Sequence, residues 1–296
     1  MEKRIAYLGP VGTFTYIAAT TLFSSEKNVQ LIPFPTIPDC LQAVEEKETD
    51  WAVVPVENAI EGSVNSTIDW IIHHVDLPIR AELVYPITQC IMGHTSQEGR
   101  PGHEIERIYS HPQGIAQCQL TLRKMFPYAE HKMTESTAQA AELVANHPEQ
   151  PWLAVGPKAA AERYELSIIK EHAEDHNNNF SRFFAVSREE RLSADSASYK
   201  TSLQVTLPSD YPGALYQVLA AFSWRKVNLT HIESRPTKTG LGNYFFWIDA
   251  QLPVEHVLMQ GAIEEIEALG CQVRVLGSFP CYFKKIGETL VANEKV

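Results

Sequence analysis

Cysteine is scarce in this sequence and widely scattered. The chain of 296 residues contains five cysteines, and no two of them form a CxxC pair. Disulfide frameworks and structural zinc sites need even numbers of cysteines or short fixed spacings, so we expect neither, and a reducing compartment is the default. The five are Cys40, Cys90, Cys118, Cys271 and Cys281.

Long apolar runs and an excess of basic residues are also missing. No apolar stretch approaches the roughly 20 residues that cross a bilayer. The N-terminal segment MEKRIAYLGP has too short an apolar run for a signal peptide. Lysine and arginine number 25 against 36 aspartates and glutamates, which gives a net charge of −11. Nucleic-acid binding needs a basic surface, so this acidic balance argues against it. With no membrane-spanning run and no signal peptide, we expect a cytoplasmic protein that does not bind a membrane.

The familiar motifs of metal and nucleotide chemistry are absent as well. The sequence has no HExxH, no EF-hand loop and no Cys/His cluster, so no metal site is expected. Residues 9–14 (GPVGTF) follow the first predicted strand but match neither GxGxxG nor the Walker sequence, which disfavours nucleotide binding. No GxSxG motif marks a serine nucleophile, although a serine triad is not excluded.

Strand and helix patterns alternate through residues 1–187. Apolar runs such as RIAYLG, VQLIPF and WAVVPVE are each followed by a helical segment. Residues 81–92 (AELVYPITQCIM) are predicted as one strand and residues 112–126 (PQGIAQCQLTLRKMF) as one helix. The alternation predicts an α/β sheet architecture of one or two lobes.

The pattern changes after residue 187. Residues 188–199 are polar and serine-rich, which is typical of a linker. Residues 200–280 then follow the order strand, helix, strand, strand, helix, strand, which predicts a ferredoxin-like βαββαβ domain. Residues 281–296 form a polar tail.

Polar residues follow two of the predicted strands. Glu57 and Asn58 end one strand, while Ser110 and His111 end another. The carboxyl ends of strands line the binding crevice in open α/β sheets, so these residues are site candidates. Structural alternatives stay open, because Asn58 or Ser63 would also cap the next helix and Ser110 is a plausible N-cap. A lone histidine is more often merely solvated.

Residues 177–183 (NNNFSRF) form the most unusual segment. A guanidinium beside a hydroxyl, flanked by phenylalanines, suits recognition of a carboxylate next to an apolar ring. Ser181, Arg182 and Phe183 are therefore site candidates. The alternative is an ordinary strand in which Arg182 alternates outward.

Taken together, these segments resemble the prephenate dehydratase family, in the bacterial monofunctional form with a C-terminal ACT regulatory domain. The resemblance rests on GPVGTFT, VPVEN, EGSVNSTID, SHPQGIAQC, STAQAA, NFSRF, GAL and ESRP in that order, over nearly the whole chain. It implies an α/β fold: a two-lobed catalytic domain like type II periplasmic binding proteins (1–187), the linker, and a ferredoxin-like ACT domain (200–280).

The resemblance also implies a function. The family converts prephenate into phenylpyruvate, CO2 and water in L-phenylalanine biosynthesis, as a carbon–oxygen lyase with no cofactor or metal. The residues implied as catalytic are Ser181, Asn58, Ser110 and Gln117. Those implied in substrate binding are Thr13, Phe14, Glu57, Arg182 and Phe183.

The ACT resemblance implies regulation by L-phenylalanine, bound between paired modules of a homodimer or a dimer of dimers. Small residues at a helix N-terminus suit an amino-acid carboxylate, although helix packing on its own sheet is the alternative. The residues carried over are Gly213, Ala214, Leu215, Asn228, Leu229, Glu233 and Ser234.

Two departures and two rival functions accompany the resemblance. The family usually has threonine where this chain has Ser181, which keeps the hydroxyl but loses a methyl that restricts χ1. Its Val-Glu-Asn-Ser reads Val-Glu-Asn-Ala here, so Ala59 replaces a serine. The rivals are arogenate dehydratase, which forms phenylalanine directly, and a non-catalytic amino-acid sensor.

Overall fold

The computed structural model of the chain describes residues 2–176, 178–189, 192, 198–209, 211–237, 244–284 and 291–292. They form two units. The first comprises residues 2–70 and 84–183, and the second comprises residues 71–83 and those from 184 onward.

Strands and helices alternate along the chain before the ferredoxin-like order begins. The strands are β1 (Lys3–Leu8), β2 (Val29–Phe34), β3 (Trp51–Asn58), β4 (Gly62–Ser63), β5 (Ile79–Pro86), β6 (Cys90–Gly93), β7 (Arg107–Ser110), β8 (Glu130–Met133), β9 (Trp152–Gly156), β10 (Ser167–Lys170), β11 (Phe180–Val186), β12 (Ser198–Thr206), β13 (Leu229–Pro236), β14 (Tyr244–Ala250), β15 (Gln272–Phe283) and β16 (Val291–Ala292). The α-helices are α1 (Phe14–Leu22), α2 (Ile37–Glu45), α3 (Asn65–His73), α4 (Pro112–Gln117), α5 (Gln119–Met125), α6 (Thr137–Ala145), α7 (Lys158–Arg163), α8 (Ala214–Trp224) and α9 (Val257–Ala268).

The first unit contains two sheets. In one, β1 pairs in parallel with β2 and with β3, and β11 lies next to β3. The other has the order β10-β6-β9-β7-β8, in which β7 is parallel to β8 and to β9. The expected α/β architecture is confirmed, and it has two lobes, each built on its own sheet.

Local sequence explains where helices α1 and α6 begin. The Thr13 hydroxyl accepts a hydrogen bond from the Tyr16 amide (3.3 Å) and so caps α1. Ser136 caps α6 by accepting from the Gln139 amide at 3.0 Å. Hydroxyl caps of this kind satisfy one of the amides that a helix leaves unpaired at its start.

The single strand predicted over residues 81–92 is wrong, because the chain breaks between β5 and β6. The Ile87 amide donates to the Asn179 carbonyl (2.8 Å), and the Gln89 amide donates to the Glu174 carboxylate (2.8 Å). These amides bond to the 174–179 segment instead of a neighbouring strand, so strand pairing stops there.

The single helix predicted over residues 112–126 is also wrong. Helix α5 starts anew after Cys118, and the carboxylate of Asp175 accepts the amides of Leu120 (2.7 Å) and Thr121 (2.9 Å) at its start. The alternative that Ser110 caps this helix is also wrong, because His111 caps α4 through Nδ1, which accepts from the Gln113 amide. Strand β10 was not predicted.

The second unit has the predicted ferredoxin-like order. Its sheet runs β13-β14-β12-β15 with every neighbour antiparallel, and α8 and α9 pack on one face. The core on that face contains Leu203, Val218, Phe222, Ile248 and Met259, all fully or almost fully buried. The expected ferredoxin-like fold is confirmed.

Strands β12 and β15 extend past the predicted bounds of the ferredoxin-like domain, 200 and 280. Ser198 pairs with Cys281, so β12 begins inside the predicted linker and β15 continues into the predicted tail. The remaining linker residues 190–191 and 193–197, tail residues 285–290 and 293–296, and Asn177 lie outside the described residues. Among the described residues, no helix is both long and apolar enough to cross a membrane.

Candidate active site

A cavity of about 750 Å³ lies in the first unit. Its walls are the loops that follow parallel strands β1, β2 and β3 of one sheet and β7 and β8 of the other. Small-molecule pockets have volumes of about 300–1,000 Å³, so a metabolite fits. The polar residues of the wall include Thr13, Glu57, Asn58, Gln89, His111, Gln113, Gln117, Glu135, Ser136, Gln139, Glu142 and Ser181, and the apolar ones include Phe14, Phe34, Ile87 and Phe183.

Ser181 lies in this wall and is held by Asn58. The Asn58 side-chain nitrogen donates to Ser181 Oγ at 2.9 Å, and Ser181 is only 9 % exposed. Asn58 Oδ1 accepts the amides of Ile60 (3.0 Å) and Glu61 (3.2 Å), which fixes the orientation of the amide group. Because Ser181 Oγ accepts from Asn58, its own hydrogen is left to donate into the cavity. Asn58 therefore caps a turn and holds the hydroxyl, and it does not cap α3.

Asn179 completes this cluster and was missed by sequence reasoning as an individual residue. Its Oδ1 accepts from Asn58 Nδ2 at 2.8 Å, and its side chain is buried. Within the described part of the chain, Asn179 Nδ2 has no hydrogen-bond partner. The run of asparagines in residues 177–179 was the available signal, but a run does not reveal which member turns inward.

Gln117 also lies in the wall, as expected, and it is paired with a residue that the sequence did not single out. Gln89 Nε2 donates to Gln117 Oε1 at 2.9 Å. Gln89 lines the cavity from the break between β5 and β6. No motif marks Gln89, because the break that exposes it depends on the distant 174–179 segment.

Ser110 is not among the residues of the cavity wall. It is fully buried, and its hydroxyl donates to the Val155 carbonyl at 2.8 Å. It lies directly behind Gly114, where an added Cβ would collide with Ser110 Oγ. The structure thus brings Ser110 next to the wall and gives its hydroxyl a structural bond, and its expected catalytic role remains a prediction.

Arg182 is likewise outside the wall, because strand alternation sends it to the face opposite Ser181 and Phe183. Its guanidinium donates to Glu57 Oε2 at 2.7 Å. A substrate carboxylate would have to compete with Glu57 for this cation. The expected binding role of Arg182 is therefore a prediction that requires this ion pair to rearrange.

Anion binding in the cavity has another source in the first unit. Thr13, Phe14, Ser136 and Thr137 place the N-termini of α1 and α6 in the wall. Helix N-termini offer unpaired amides and a positive dipole end to anions. Among the described residues of the wall there is no lysine or arginine.

His111 contributes the one histidine of the described cavity wall. Burial lowers the pKa of His111, and the nearby Glu61 carboxylate opposes that shift. Its Nδ1 accepts from the Gln113 amide, so the neutral ring carries its hydrogen on Nε2. Gln113 also donates to Glu61 at 3.0 Å and so joins the loops of the two sheets.

The expected effector residues lie in the second unit. Gly213 precedes α8 with a φ of 90°, a conformation that favours glycine. Ala214 is buried, and Leu215 and Leu229 pack against the core under α8 and α9. These residues are thus tied to the helix-covered face of the sheet, whereas the Asn228 side chain donates to Gln251 at 3.0 Å.

Glu233 and Ser234 point to opposite faces of that sheet. Ser234 pairs with Phe246, which belongs to the helix-side core, and Glu233 pairs with Trp247 on the other face. Glu233 forms an ion pair with Arg235 (3.0 Å), and its carboxylate lies 3.4 Å from Nε2 of the His231 ring. The structure therefore does not bring these two neighbours to one surface of the unit.

Comparison with known proteins matches residues 5–191 to the family described as prephenate dehydratase. The prephenate dehydratase of Bacillus subtilis (strain 168) is 45 % identical over 285 residues, which cover 94 % of this chain and 99 % of that protein.

Two solved structures are similar over almost the whole chain. The Arthrobacter aurescens prephenate dehydratase in complex with L-Phe is 33 % identical, with a TM-score of 0.81, covering 98 % of this chain and 93 % of that one. The Staphylococcus aureus (Mu50) prephenate dehydratase is 28 % identical, with a TM-score of 0.80, covering 94 % of this chain and 100 % of that one. The chain belongs to the prephenate dehydratase family.

Proposed function

We propose that this chain converts prephenate into phenylpyruvate, CO2 and water, as a carbon–oxygen lyase. The observation that carries the proposal is the Asn58–Ser181 hydrogen bond in the wall of a metabolite-sized cavity. It leaves one oriented hydroxyl donor beside apolar rings, which is what this elimination needs. Family membership supplies the substrate class.

The reaction balances without an oxidant or reductant. Prephenate is a dianion with one ring carboxylate, one ring hydroxyl and a pyruvate side chain. When CO2 leaves, the electron pair of the broken C–C bond enters the ring, and the C–O electron pair leaves with the hydroxyl. One proton is taken up to make water. Aromatisation drives both bond cleavages.

Ser181 acts on the departing hydroxyl in this scheme. Serine is a weak acid, so donation of a hydrogen bond to the developing charge fits it better than full proton transfer. Asn58 holds the hydroxyl in one direction, so little reorientation is needed when the charge appears. Removal of a comparable donor in other enzymes costs about 10²–10³-fold in kcat.

The rest of the wall fits the two ends of the substrate. Phe14, Phe34 and Phe183 provide an apolar surface for the ring. The N-termini of α1 and α6 provide amides for carboxylates. Exclusion of water from the ring carboxylate favours loss of CO2, because the charge becomes delocalised as the C–C bond breaks.

The test is prephenate turnover by the purified chain, followed through the absorbance of phenylpyruvate in alkali. The wild type is expected to be active. Ser181→Ala is expected to lose about 10²–10³-fold in kcat, because the hydroxyl donor is removed. Ser181→Thr keeps the donor and is expected to remain active.

Buried Ser202 of the second unit offers a matched control for serine removal. Ser202→Ala is expected to turn over prephenate like the wild type. An alanine variant at 181 that stays fully active would remove Ser181 from its proposed role. Calorimetric binding of L-phenylalanine without any turnover of prephenate would favour the amino-acid sensor instead.

Arogenate is the second candidate substrate, and one observation favours it. The cavity wall contains the carboxylates of Glu135 and Glu142, besides Glu57, which is paired with Arg182, but no lysine or arginine among its described residues. Arogenate carries an ammonium group where prephenate has a keto group, so carboxylates suit it. A comparison of kcat/KM for the two substrates decides between them.

We further propose that L-phenylalanine regulates the enzyme through the ACT domain. The support is the ferredoxin-like order of the second unit and the L-Phe named with the related Arthrobacter structure. The expected site includes the N-terminus of α8 at Gly213 and the strand residue Glu233. A linker that follows residue 187 and ends before Ser198, the homodimer or dimer of dimers, and the cytoplasmic location belong to the same proposal.

The regulatory part is tested by inhibition constants for L-phenylalanine. Gly213→Ala and Glu233→Ala are expected to weaken inhibition. Gly270→Ala is the control for backbone strain, because Gly270 has a φ of 87° against 90° for Gly213 in the same unit. Equal effects at the two glycines would place the effector elsewhere.

A further inference from the structure

Gln89 carries an unused polar atom inside the cavity-bearing unit. Its side chain is 2 % exposed, and it lines the cavity. Within the described part of the chain, Gln89 Oε1 has no hydrogen-bond partner. Buried polar atoms are almost always paired, so an unpaired acceptor in a cavity wall needs an explanation.

The other polar groups of Gln89 are hydrogen-bonded, so the orientation of its side chain is fixed. Its amide donates to the Glu174 carboxylate (2.8 Å), and its carbonyl accepts from the Ala173 amide (2.8 Å). Its Nε2 donates to Gln117 Oε1 at 2.9 Å. Three bonds thus fix the backbone and one side of the side-chain amide, and only Oε1 remains.

Gln117 is fixed by the same short segment. The Asp175 amide donates to the Gln117 carbonyl at 2.7 Å, while the Asp175 carboxylate accepts the first amides of α5. Residues 173–175 therefore position both glutamines. Glu174 and Asp175 are positioning residues, because they act through Gln89 and Gln117.

The chemistry of the proposed substrate identifies the missing partner. An amide oxygen only accepts hydrogen bonds. In the prephenate dianion both carboxyl groups are ionised and the keto group is an acceptor, so the ring hydroxyl is the one donor. We infer that Gln89 Oε1 accepts the hydrogen of that ring hydroxyl, which makes Gln89 a substrate-contacting residue; the inference rests on the proposed function.

Two hydrogen bonds then bracket the leaving group. The ring hydroxyl donates to Gln89, and its oxygen accepts from Ser181. Donation to Gln89 turns the oxygen lone pairs away from Gln89 and toward Ser181, and it raises the basicity of the oxygen. Gln89 forms no covalent bond and exchanges no electrons; it orients the hydroxyl that leaves as water.

The first experiment compares Gln89→Met with Gln97→Met in steady-state assays on prephenate. Methionine keeps the length of glutamine and removes its polar atoms. Gln97 is a matched control, since it is equally buried, also has an unpaired Oε1 among the described residues, and is not in the cavity wall. Gln89→Met is expected to lower kcat/KM about 10- to 100-fold, the loss for one or two hydrogen bonds, and Gln97→Met to leave it unchanged.

The second readout separates contact with the hydroxyl from a structural effect. Phenylpyruvate has no ring hydroxyl, so its constant as a product inhibitor is expected to be the same for Gln89→Met and the wild type. Thermal unfolding is expected to show a similar, small loss of stability in the two methionine variants, because each loses one side-chain hydrogen bond. If Gln89→Met does not fold, Gln89→Asn replaces it, because it keeps an amide but withdraws it by about 1.5 Å.

The outcomes are distinct. A wild type without prephenate turnover overturns the proposed function and this inference with it. An active wild type with equal kcat/KM in the two methionine variants overturns the inference alone. Weakened phenylpyruvate binding in Gln89→Met, in proportion to the loss of kcat/KM, also overturns it, because the contact would then be with another part of the ligand.

Discussion

Some buried polar groups of the two units differ in whether all their hydrogen bonds are made. In the second unit the two buried carboxylates are paired: Lys200 Nζ lies 2.6 Å from the fully buried Glu82 carboxylate, and Asp249 accepts from Ser202 and from the Trp247 ring nitrogen. In the first unit, Gln89 Oε1 and Asn179 Nδ2 have no partner among the described residues.

This difference in hydrogen bonding distinguishes polar groups that hold the fold together from polar groups that can bind a ligand. A closed polar network holds strands and segments in place and has nothing left to offer a ligand. An incomplete one costs stability until a ligand completes it. Two of the incomplete groups of the first unit, Gln89 Oε1 and Asn179 Nδ2, belong to residues that bond Gln117 and Asn58 of the cavity wall, whereas the contacts of Glu82 and Asp249 in the second unit are closed.

The largest expected effect is in the closed network. Glu82→Ala is expected to destabilise the protein by about 3–5 kcal/mol, because it leaves the Lys200 charge without its buried partner. Chemical denaturation followed by circular dichroism measures this. The double variant Glu82→Leu/Lys200→Met is the control and is expected to recover most of the loss, and equal destabilisation by the single and double variants would contradict the pairing.

A smaller effect is expected where the first unit positions its hydroxyl. Asn58→Asp keeps an acceptor for the turn amides but loses the donor to Ser181, so kcat is expected to fall about 100-fold, or about 2.7 kcal/mol in barrier. Asn58→Ala loses both functions and is expected to be less stable by about 1 kcal/mol as well. An aspartate variant with wild-type kcat would show that the Asn58–Ser181 bond does not matter for turnover.

The pH dependence of stability tests the cavity histidine. Burial lowers the pKa of His111, so the unfolded chain binds its proton first as the pH falls. The contribution of neutral His111 to the free energy of unfolding is therefore fully present above the unfolded-state pKa of about 6.5. It is lost as the pH falls from there through the lower folded-state pKa. His111→Asn keeps a cap for α4 and is expected to flatten this decline in melting temperatures between pH 7 and 5, and identical slopes would exclude His111 as the cause.

The smallest effect is expected from the thiols, which both units bury. Burial raises the pKa of Cys40 to about 12 and that of Cys90 to about 11, and it also raises the pKa of Cys118 and Cys271. All five cysteines are free and buried. We expect negligible labelling by a thiol reagent at pH 8 in the native state and five labelled thiols in denaturant. Fast native labelling of any cysteine would indicate local opening of its unit.

Much of the site was accessible from the sequence because its residues follow strands. Asn58 at the end of β3 and Ser181 at the start of β11 were both expected, and the structure brings them to 2.9 Å. Phe183, in the same segment as Ser181, was also a candidate from the residues, whereas Phe14 was implied only by the family resemblance. Position at a strand end is a local property, and local patterns reveal it.

The errors come from contacts between segments that are distant in sequence. The break that exposes Gln89 and the restart of α5 after Cys118 depend on residues 173–179, which are far away in sequence from β5 and α4, and Asn179 of that segment is buried beside Asn58. Ser110 and Arg182 carried the right residue types for a site, but packing behind Gly114 and pairing with Glu57 took them out of the cavity wall.

The sequence by itself determined the alternating strands and helices, the ferredoxin-like order of residues 200–280 and the family, because periodicity, turn residues and ordered motifs are written along the chain. Only the tertiary structure decided which polar atoms are closed and which stay open, since that depends on distant segments competing for the same donors and acceptors. Gln89 is an example: it lines the cavity, and its neighbours bond its amide, its carbonyl and its Nε2 but, among the described residues, not its Oε1.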